Sequence, residues 1–357
     1  MPSTAASRPG GALTTRVDRR PQLARRLLLA LALILPLSML LALGSGAVTL
    51  APGEAWAALL GQADAQANLI VQQLRLPRVL LAAITGATLA VSGAAMQGLF
   101  RNPLADPSLI GVTAGASLGA SLLIVLGGGL LPGLPGLTLI SLAAFAGGAL
   151  AVLVVYRLAS SETGTSVATM LLAGIAITSL AGAAGSLLEF LADNEHLRRI
   201  SLWKMGGLDG ATFSRLGVAA VVGGALLIAL PRYATVLNTL LLGESEARHL
   251  GIDVERRQRG IILWVAVGVG TSVAMVGTIA FVGLVVPHLV RLLIGPDHRV
   301  LLPASALAGA ILLVLADSLA RVVLAPTELP VGIITAMVGV PFFISLLRQR
   351  RHFGMTP

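Results

Sequence analysis

The stretch Gly260–Val290, GIILWVAVGVGTSVAMVGTIAFVGLVVPHLV, decides how this chain folds. Its 31 residues contain no Asp, Glu, Lys or Arg, which is long for one membrane-spanning helix and short for two. A hydrocarbon core of ~30 Å needs about 20 residues of α-helix to cross it. The flanks decide between one span and two. Residues 232–259 carry Arg232, Arg248, Arg256, Arg257 and Arg259, and residues 291–299 carry Arg291 and Arg299. Short loops rich in Lys and Arg stay on the cytoplasmic side. Two loops on one side require an even number of crossings between them, so the stretch reads as two short spans that turn near Gly277.

Apolar stretches of spanning length recur on both sides of it, at about 27–49, 79–99, 108–131, 137–156, 167–188, 213–231, 300–324 and 331–347. The expected fold is therefore all-α: a polytopic membrane protein of ten transmembrane helices occupying residues 27–351, with both termini cytoplasmic. Nine spans would leave Arg348, Arg350 and Arg351 outside, against the charge rule. Residues 1–26, with six Arg among Pro, Ser and Thr, read as a disordered basic cytoplasmic tail, or alternatively as a short interfacial helix. The apolar run behind them is long enough to span, so no cleaved secretory signal is expected.

The composition agrees: 56% hydrophobic, 11% charged, and 41 Gly, which suits helices packed backbone to backbone in lipid. The absence of Cys excludes disulfides and thiolate metal sites. A net charge of +9 could point to nucleic acid, but the basic residues sit in short loops beside apolar segments, where membrane orientation explains them. The only lysine, Lys204, precedes Met205, so no phosphate-binding loop of the G-x-x-x-x-G-K-[ST] type can form. No metalloprotease helix or nucleophile elbow occurs, and the five His are scattered. The chain is expected to be non-catalytic and to hold no metal or cofactor of its own. An ion-coupled secondary transporter is a reading of a different class. It would need ionisable residues deep in the core, and the second, third, fourth, seventh and tenth spans hold none.

Four polar features remain. Pro231–Gln258 is a polar island with apolar residues at helical spacing, and Gly243 and Gly251 are placed to stop two short helices. It reads either as an element shown to a cytoplasmic partner or as an amphipathic stretch lying on lipid. Arg75 and Arg78, in RLPR, are expected to be exposed at the outer start of the second span, as a docking point for a carboxylate or as snorkelling side chains. Asp317 and Arg321 lie four apart at the outer end of the ninth span, where they can pair on one helix face. The turn GLFRNPLADPSLIGV, Gly98–Val112, cannot be a continuous helix because of its prolines, and it either constricts a pore or merely connects two spans.

These segments together resemble the permease subunits of the iron-siderophore, haem and cobalamin family of ABC importers, the type II importers. The likeness runs from Arg75 to the end of the last span and rests on RLPRVLLAAITGATLAVSGAAMQGLFRNPLADPSLIGV, LLLGESEARHLGIDV, GTIAFVGLVVPHLVRLLIGPDHRVLLPASALAGA and ADSLARVVLAPTELPVGIITAMVGVPFF. It implies a type II permease fold in the bacterial cytoplasmic membrane, working as a homodimer. Two ATP-binding cassette subunits would bind ATP and Mg, and a periplasmic or lipoprotein substrate-binding protein would deliver cargo. It further implies that Arg75, Arg78 and Arg321 meet glutamates of the binding protein. Asn238, Leu241, Gly243, Glu244, Ala247, Leu250 and Gly251, within coupling helices at about 236–253, would engage the ATPase. Asn102, Leu104, Thr165 and Ser166 would form the cytoplasmic gate. Small residues such as Gly174, Ala176, Ala181 and Ala184 would wall the pathway. The segments QGLFRNPLADPSLIGV, TSVATMLLAGIAITSLAGAAG and LADNEHLRRISLWKMGGLDGA resemble the haem-transporting branch most, which makes haem the expected cargo and ferric siderophores or cobalamin the alternatives. His196 near the outer mouth reads as a loop histidine or as a contact to haem iron.

Overall fold

The structure, a computed structural model, describes residues 20–127, 136–161 and 164–353. It is built of helices, in chain order α1 (Arg20–Gly44), α2 (Pro52–Leu59), α3 (Ala65–Leu69), α4 (Leu76–Leu99), α5 (Val112–Leu126), α6 (Gly136–Ala159), α7 (Val167–Leu191) and α8 (Asn194–Met205). These are followed by α9 (Phe213–Ala229), α10 (Ala234–Leu240), α11 (Glu244–His249), α12 (Val254–Val276), α13 (Val282–Ile294), α14 (His298–Val322) and α15 (Val331–Phe353). Among the described residues the only strands are β1 (Ser160–Ser161) and β2 (Gly164–Thr165), which pair antiparallel. The segment Arg20–Arg26, expected to belong to the tail, forms the start of α1; residues 1–19 lie outside the described residues.

Among the described residues, seven helices are long and apolar enough to cross a membrane, and three shorter apolar helices accompany them: Val112–Leu126, Val282–Ile294 and Val331–Ser345. Each falls on one of the apolar stretches read from the sequence. The stretch that decided the count divides as expected but unevenly. α12 stops at Val276, Gly277 (φ 71°) and Phe281 (φ 69°) take left-handed backbone, and α13 follows. The first half is not short: Asp253 caps α12 at the Arg256 N–H, so the helix starts well before Gly260 and runs 23 residues. α13 has only 13 residues, about 20 Å, and Pro287 within it.

α4 is the centre of the bundle. With α3 and a π-helical stretch, Ile70–Arg75, it makes one 35-residue rod, Ala65–Leu99. It packs along α14, with α9, α12 and α13 around it. Helices can close up this tightly in lipid only where side chains vanish. A Cβ on Gly86 would lie 2.2 Å from the Gly309 carbonyl oxygen of α14, and one on Gly93 would lie 1.8 Å from that of Gly283 in α13. α7 is the opposite case. Its outer face exposes Leu172, Ile175, Leu180, Leu187 and Phe190. Of the small residues expected to wall the pathway, Gly174 and Ala181 are buried, Gly174 against the Leu109 carbonyl, whereas Ala184 is half-buried and Ala176 is exposed.

Candidate functional site

Two polar clusters mark opposite ends of the bundle. His298 and Arg321 are 23 residues apart on α14, about 35 Å along its axis. One cluster surrounds the start of this helix and the other surrounds its end.

At the far end three guanidinium groups converge. Arg78 donates from Nε to both oxygens of Asp317 at 3.0 and 3.1 Å, from Nη2 to Oδ1 at 2.9 Å, and from Nη1 to Glu328 Oε2 at 2.6 Å. Arg321 pairs with Asp317 across one helical turn at 3.2 Å. Its Nη1 and Nη2 donate to the carbonyls of Ser45 and Ala42, each at 2.9 Å. Arg75 donates to the carbonyls of Leu43, at 2.7 Å, and Val48. Arg75 and Arg321 thus satisfy the carbonyls that the C-terminus of α1 leaves without helical partners. This corrects the expectation that Arg75 and Arg78 are exposed: they are 7% and 9% exposed, because carboxylates and carbonyls within the chain already hold them, while Arg321, 3% exposed, pairs with Asp317 as its spacing allows. Three positive and two negative groups leave the cluster with net charge +1. Only Glu328, in the turn between α14 and α15, stands substantially in the open, at 41% exposure.

At the near end, α10 and α11 form two short helices separated at Gly243 (φ 125°) and closed at Gly251 (φ 80°), the two positions read as stops. Left-handed φ at both explains glycine there. Leu237, Leu240 and Ala247 face the core, while Leu241, Leu242 and Leu250 are 40%, 68% and 66% exposed, flanked by exposed Glu246, Arg248 and His249. Two residues of the expected ATPase contact set turn inward. Ala247 is fully buried, and Asn238 donates from Nδ2 to Asp297 Oδ1 at 2.6 Å. Glu244 accepts from the buried Gln258 amide at 3.1 Å, which ties α11 to α12. Burial pushes the pKa of the Asp297 carboxyl up, but the Arg299 N–H and the Asn238 amide outweigh it and hold the group below the usual carboxylate range.

The expected gate residues fall in two separate turns. Asn102 Oδ1 accepts from the Leu104 N–H at 3.0 Å, after Arg101 takes left-handed backbone (φ 49°) to end α4. Thr165 lies in the two-stranded turn opposite Ser160, its hydroxyl 3.2 Å from that of Ser160. Ser166 caps α7 at the Thr169 N–H, 3.2 Å away. That turn lies against the end of α11 and the start of α12: a Cβ on Gly164 would come 2.9 Å from Glu255 Oε1 and 3.8 Å from Arg248 Nη2. Among the described residues no hydrogen bond joins the Asn102 turn to Thr165 or Ser166. Between the turn and the α12–α13 break is a cavity of about 340 Å³, lined by Asp106, Thr113, Thr278 and Phe281 among others. Burial pushes the Asp106 carboxyl up, although its Oδ1 accepts from the Ser108 N–H at 2.8 Å. His196 belongs to the cap of α8: its N–H donates to Asp193 Oδ1 at 2.8 Å and its Nδ1 lies 3.0 Å from Oδ2.

Sequence reasoning missed Glu328, Asp297, His298 and Gln258. Each acts through a partner distant in sequence, and Asp297 alone carried a local signal, as the acid before a helix start.

An all-α bundle with a pair of short, partly exposed helices at one end and a charged collar at the other fits one class: the permease subunit of a type II ABC importer, whose ATPase activity sits in separate subunits. Family membership makes this definite. Residues 33–349 match the FecCD transport family, and the chain belongs to it. It is 47% identical over 289 residues to the cobalamin import system permease protein BtuC of Halobacterium salinarum, covering 80% of this chain and 74% of that protein. It is 46% identical over 279 residues to the hemin transport system permease protein HmuU of Yersinia pestis, covering 78% and 83%. A solved structure described as an inward-facing metal-chelate type ABC transporter superposes with a TM-score of 0.81 at 32% identity, covering 91% of this chain and 99% of that one.

Proposed function

We propose that this chain conducts haem across the bacterial cytoplasmic membrane as a homodimer of ten-span permeases, driven by two ATP-binding cassette subunits and fed by a soluble or lipid-anchored binding protein. The observation that carries the reading is the family match along almost the whole chain, joined to an exposed apolar helix pair in the 234–250 region. A chain that moves a bulky chelate needs a surface for the engine, and Leu241, Leu242 and Leu250 supply one. ATP binding draws the cassettes together, the coupling helices follow, and the spans around the dimer axis switch between outward and inward openings.

The collar of Arg75, Arg78 and Arg321 receives the binding protein. Its net positive charge suits acidic side chains, and an incoming carboxylate takes Glu328's place on Arg78. Asn102 and Leu104, with Thr165 and Ser166, close the pathway on the side of the ATPase. Cobalamin is the second reading, because the cobalamin and hemin permeases stand at nearly equal identity, 47% and 46%. The experiment is uptake into proteoliposomes holding the permease, its cassette subunit and internal ATP, with the cognate binding protein loaded in turn with haem, cyanocobalamin or a ferric siderophore. Haem accumulation that stops without ATP supports the proposal. Accumulation of cyanocobalamin alone assigns the second reading, and uptake without cassette subunits overturns both.

A further inference from the structure

The start of α14 and the coupling helix α10 share a partly buried polar joint. Asn238 Oδ1 accepts the backbone N–H of His298 at 2.8 Å and faces His298 Nδ1, also at 2.8 Å. Its Nδ2 binds Asp297, whose Oδ1 in turn accepts the Arg299 N–H at 3.0 Å and caps α14. One amide of α10 therefore meets three groups of the α14 N-terminus. His298 is fully buried. On its far side the imidazole reaches α4: a Cβ on Gly98 would come 2.5 Å from Nε2, so only glycine leaves room for the ring there. Gly98 accepts from the Arg101 N–H at 3.2 Å, and Asn102 donates back to the Gln97 carbonyl at 3.1 Å. The ring thus stands one turn from the Asn102–Leu104 segment.

We infer that Asn238 and His298 form the joint through which movement of the coupling helix reaches the gate: α10 pulls on the α14 N-terminus through the Asn238 amide, and the His298 ring bears on Gly98 and the turn behind it. The inference rests on the reading of α10–α11 as the ATPase contact. It gives Asn238 a different part within that reading, as a positioning residue that faces into the permease. A polar joint serves better here than an apolar one. Hydrogen bonds from one amide to three partners fix distance and direction, whereas apolar contacts slide. A ring packed against bare backbone transmits displacement with little slack.

The test uses the full complex of permease, cassette subunit and binding protein in proteoliposomes, with haem, or cyanocobalamin if that is the cargo taken up. Asn238→Ala, His298→Leu and the double variant are compared with His298→Asn, whose amide nitrogen can stand where Nδ1 stands. Three quantities are read: cassette subunit retained on purification, ATP hydrolysis stimulated by the binding protein, and cargo moved per ATP. Asn238→Ala and His298→Leu are expected to keep the cassette subunit and hydrolysis within about twofold while lowering cargo per ATP about tenfold. The double variant is expected to be no worse than the worse single, as for two parts of one joint, and His298→Asn, which keeps the bond to Asn238 but not the ring's reach to Gly98, to restore only part of the ratio. Unchanged cargo per ATP in Asn238→Ala, which removes a half-buried side chain and should fold, overturns the joint. Loss of cassette binding together with hydrolysis also overturns it, because the residues would then only shape the docking surface. If the unaltered chain retains no cassette subunit, the broader reading falls first.

Discussion

Replacing Asp317 by Ala should unfold the far end of the bundle at lower temperature, and the structure gives the size. Asp317 is 1% exposed and holds two buried guanidinium groups, Arg78 by three contacts of 2.9 to 3.1 Å and Arg321 by one of 3.2 Å. Removing one partner from a buried ion pair costs about 3–5 kcal/mol, mostly because a charge is left uncompensated. Here the low end applies. Arg78 keeps Glu328 and Arg321 keeps the carbonyls of Ala42 and Ser45. A loss of about 3 kcal/mol in a chain of this size corresponds to a fall in melting temperature of about 5 °C. The assay is thermal unfolding in detergent, followed by the monodisperse fraction on size exclusion at a fixed heating time, since membrane proteins unfold irreversibly. Adding Arg78→Met to Asp317→Ala should recover about 1 kcal/mol or more, because it removes the stranded charge. A fall under about 1 °C, or a double variant worse than the sum of the singles, would refute the claim that this pair braces α4 against α14.

Three further outcomes follow from the same geometry. Glu328→Gln removes the carboxylate that competes for Arg78 and should tighten binding of the substrate-binding protein severalfold in a surface-binding assay; weaker binding would mean that Glu328 itself makes the contact. Leu242→Arg and Leu250→Arg lie on the exposed face of the coupling pair, so they should abolish copurification of the cassette subunit while leaving the melting temperature within about 1 °C. Asp106→Asn keeps the acceptor for the Ser108 N–H but removes a carboxylate whose pKa burial raises. A raised carboxylate opposes folding while it is ionised, so the variant should melt higher at pH 7. That gain should shrink as pH falls through the raised value and vanish below about pH 4, the unfolded value, where both forms are neutral. An equal shift at both pH values would contradict the assignment.

Much of the fold could be read along the chain, because its signals are local. Apolar stretches of spanning length, the charges flanking Gly260–Val290, and glycine at 243, 251 and 277 each depend on neighbours within a few residues. The Asp317–Arg321 pair is legible for the same reason, being one helical turn. The errors share a different origin. Arg78 looked exposed because its partner stands 239 residues away, and Asn238 looked available to another protein because Asp297 and His298 lie 59 and 60 residues further on. Polar residues paired across helices leave no periodicity, so position along a span does not tell a docking charge from a structural one.

An importer of this kind needs α10 and α11 on the side of the membrane that holds ATP. The chain contains no cysteine, so Arg248→Cys, at an exposed position of α11, offers a single thiol to a maleimide that cannot cross the bilayer. In intact cells that thiol should stay unlabelled until the membrane is opened, whereas Glu328→Cys should label at once. Labelling at position 248 from outside would place the coupling helices away from any ATP and contradict the mechanism as a whole.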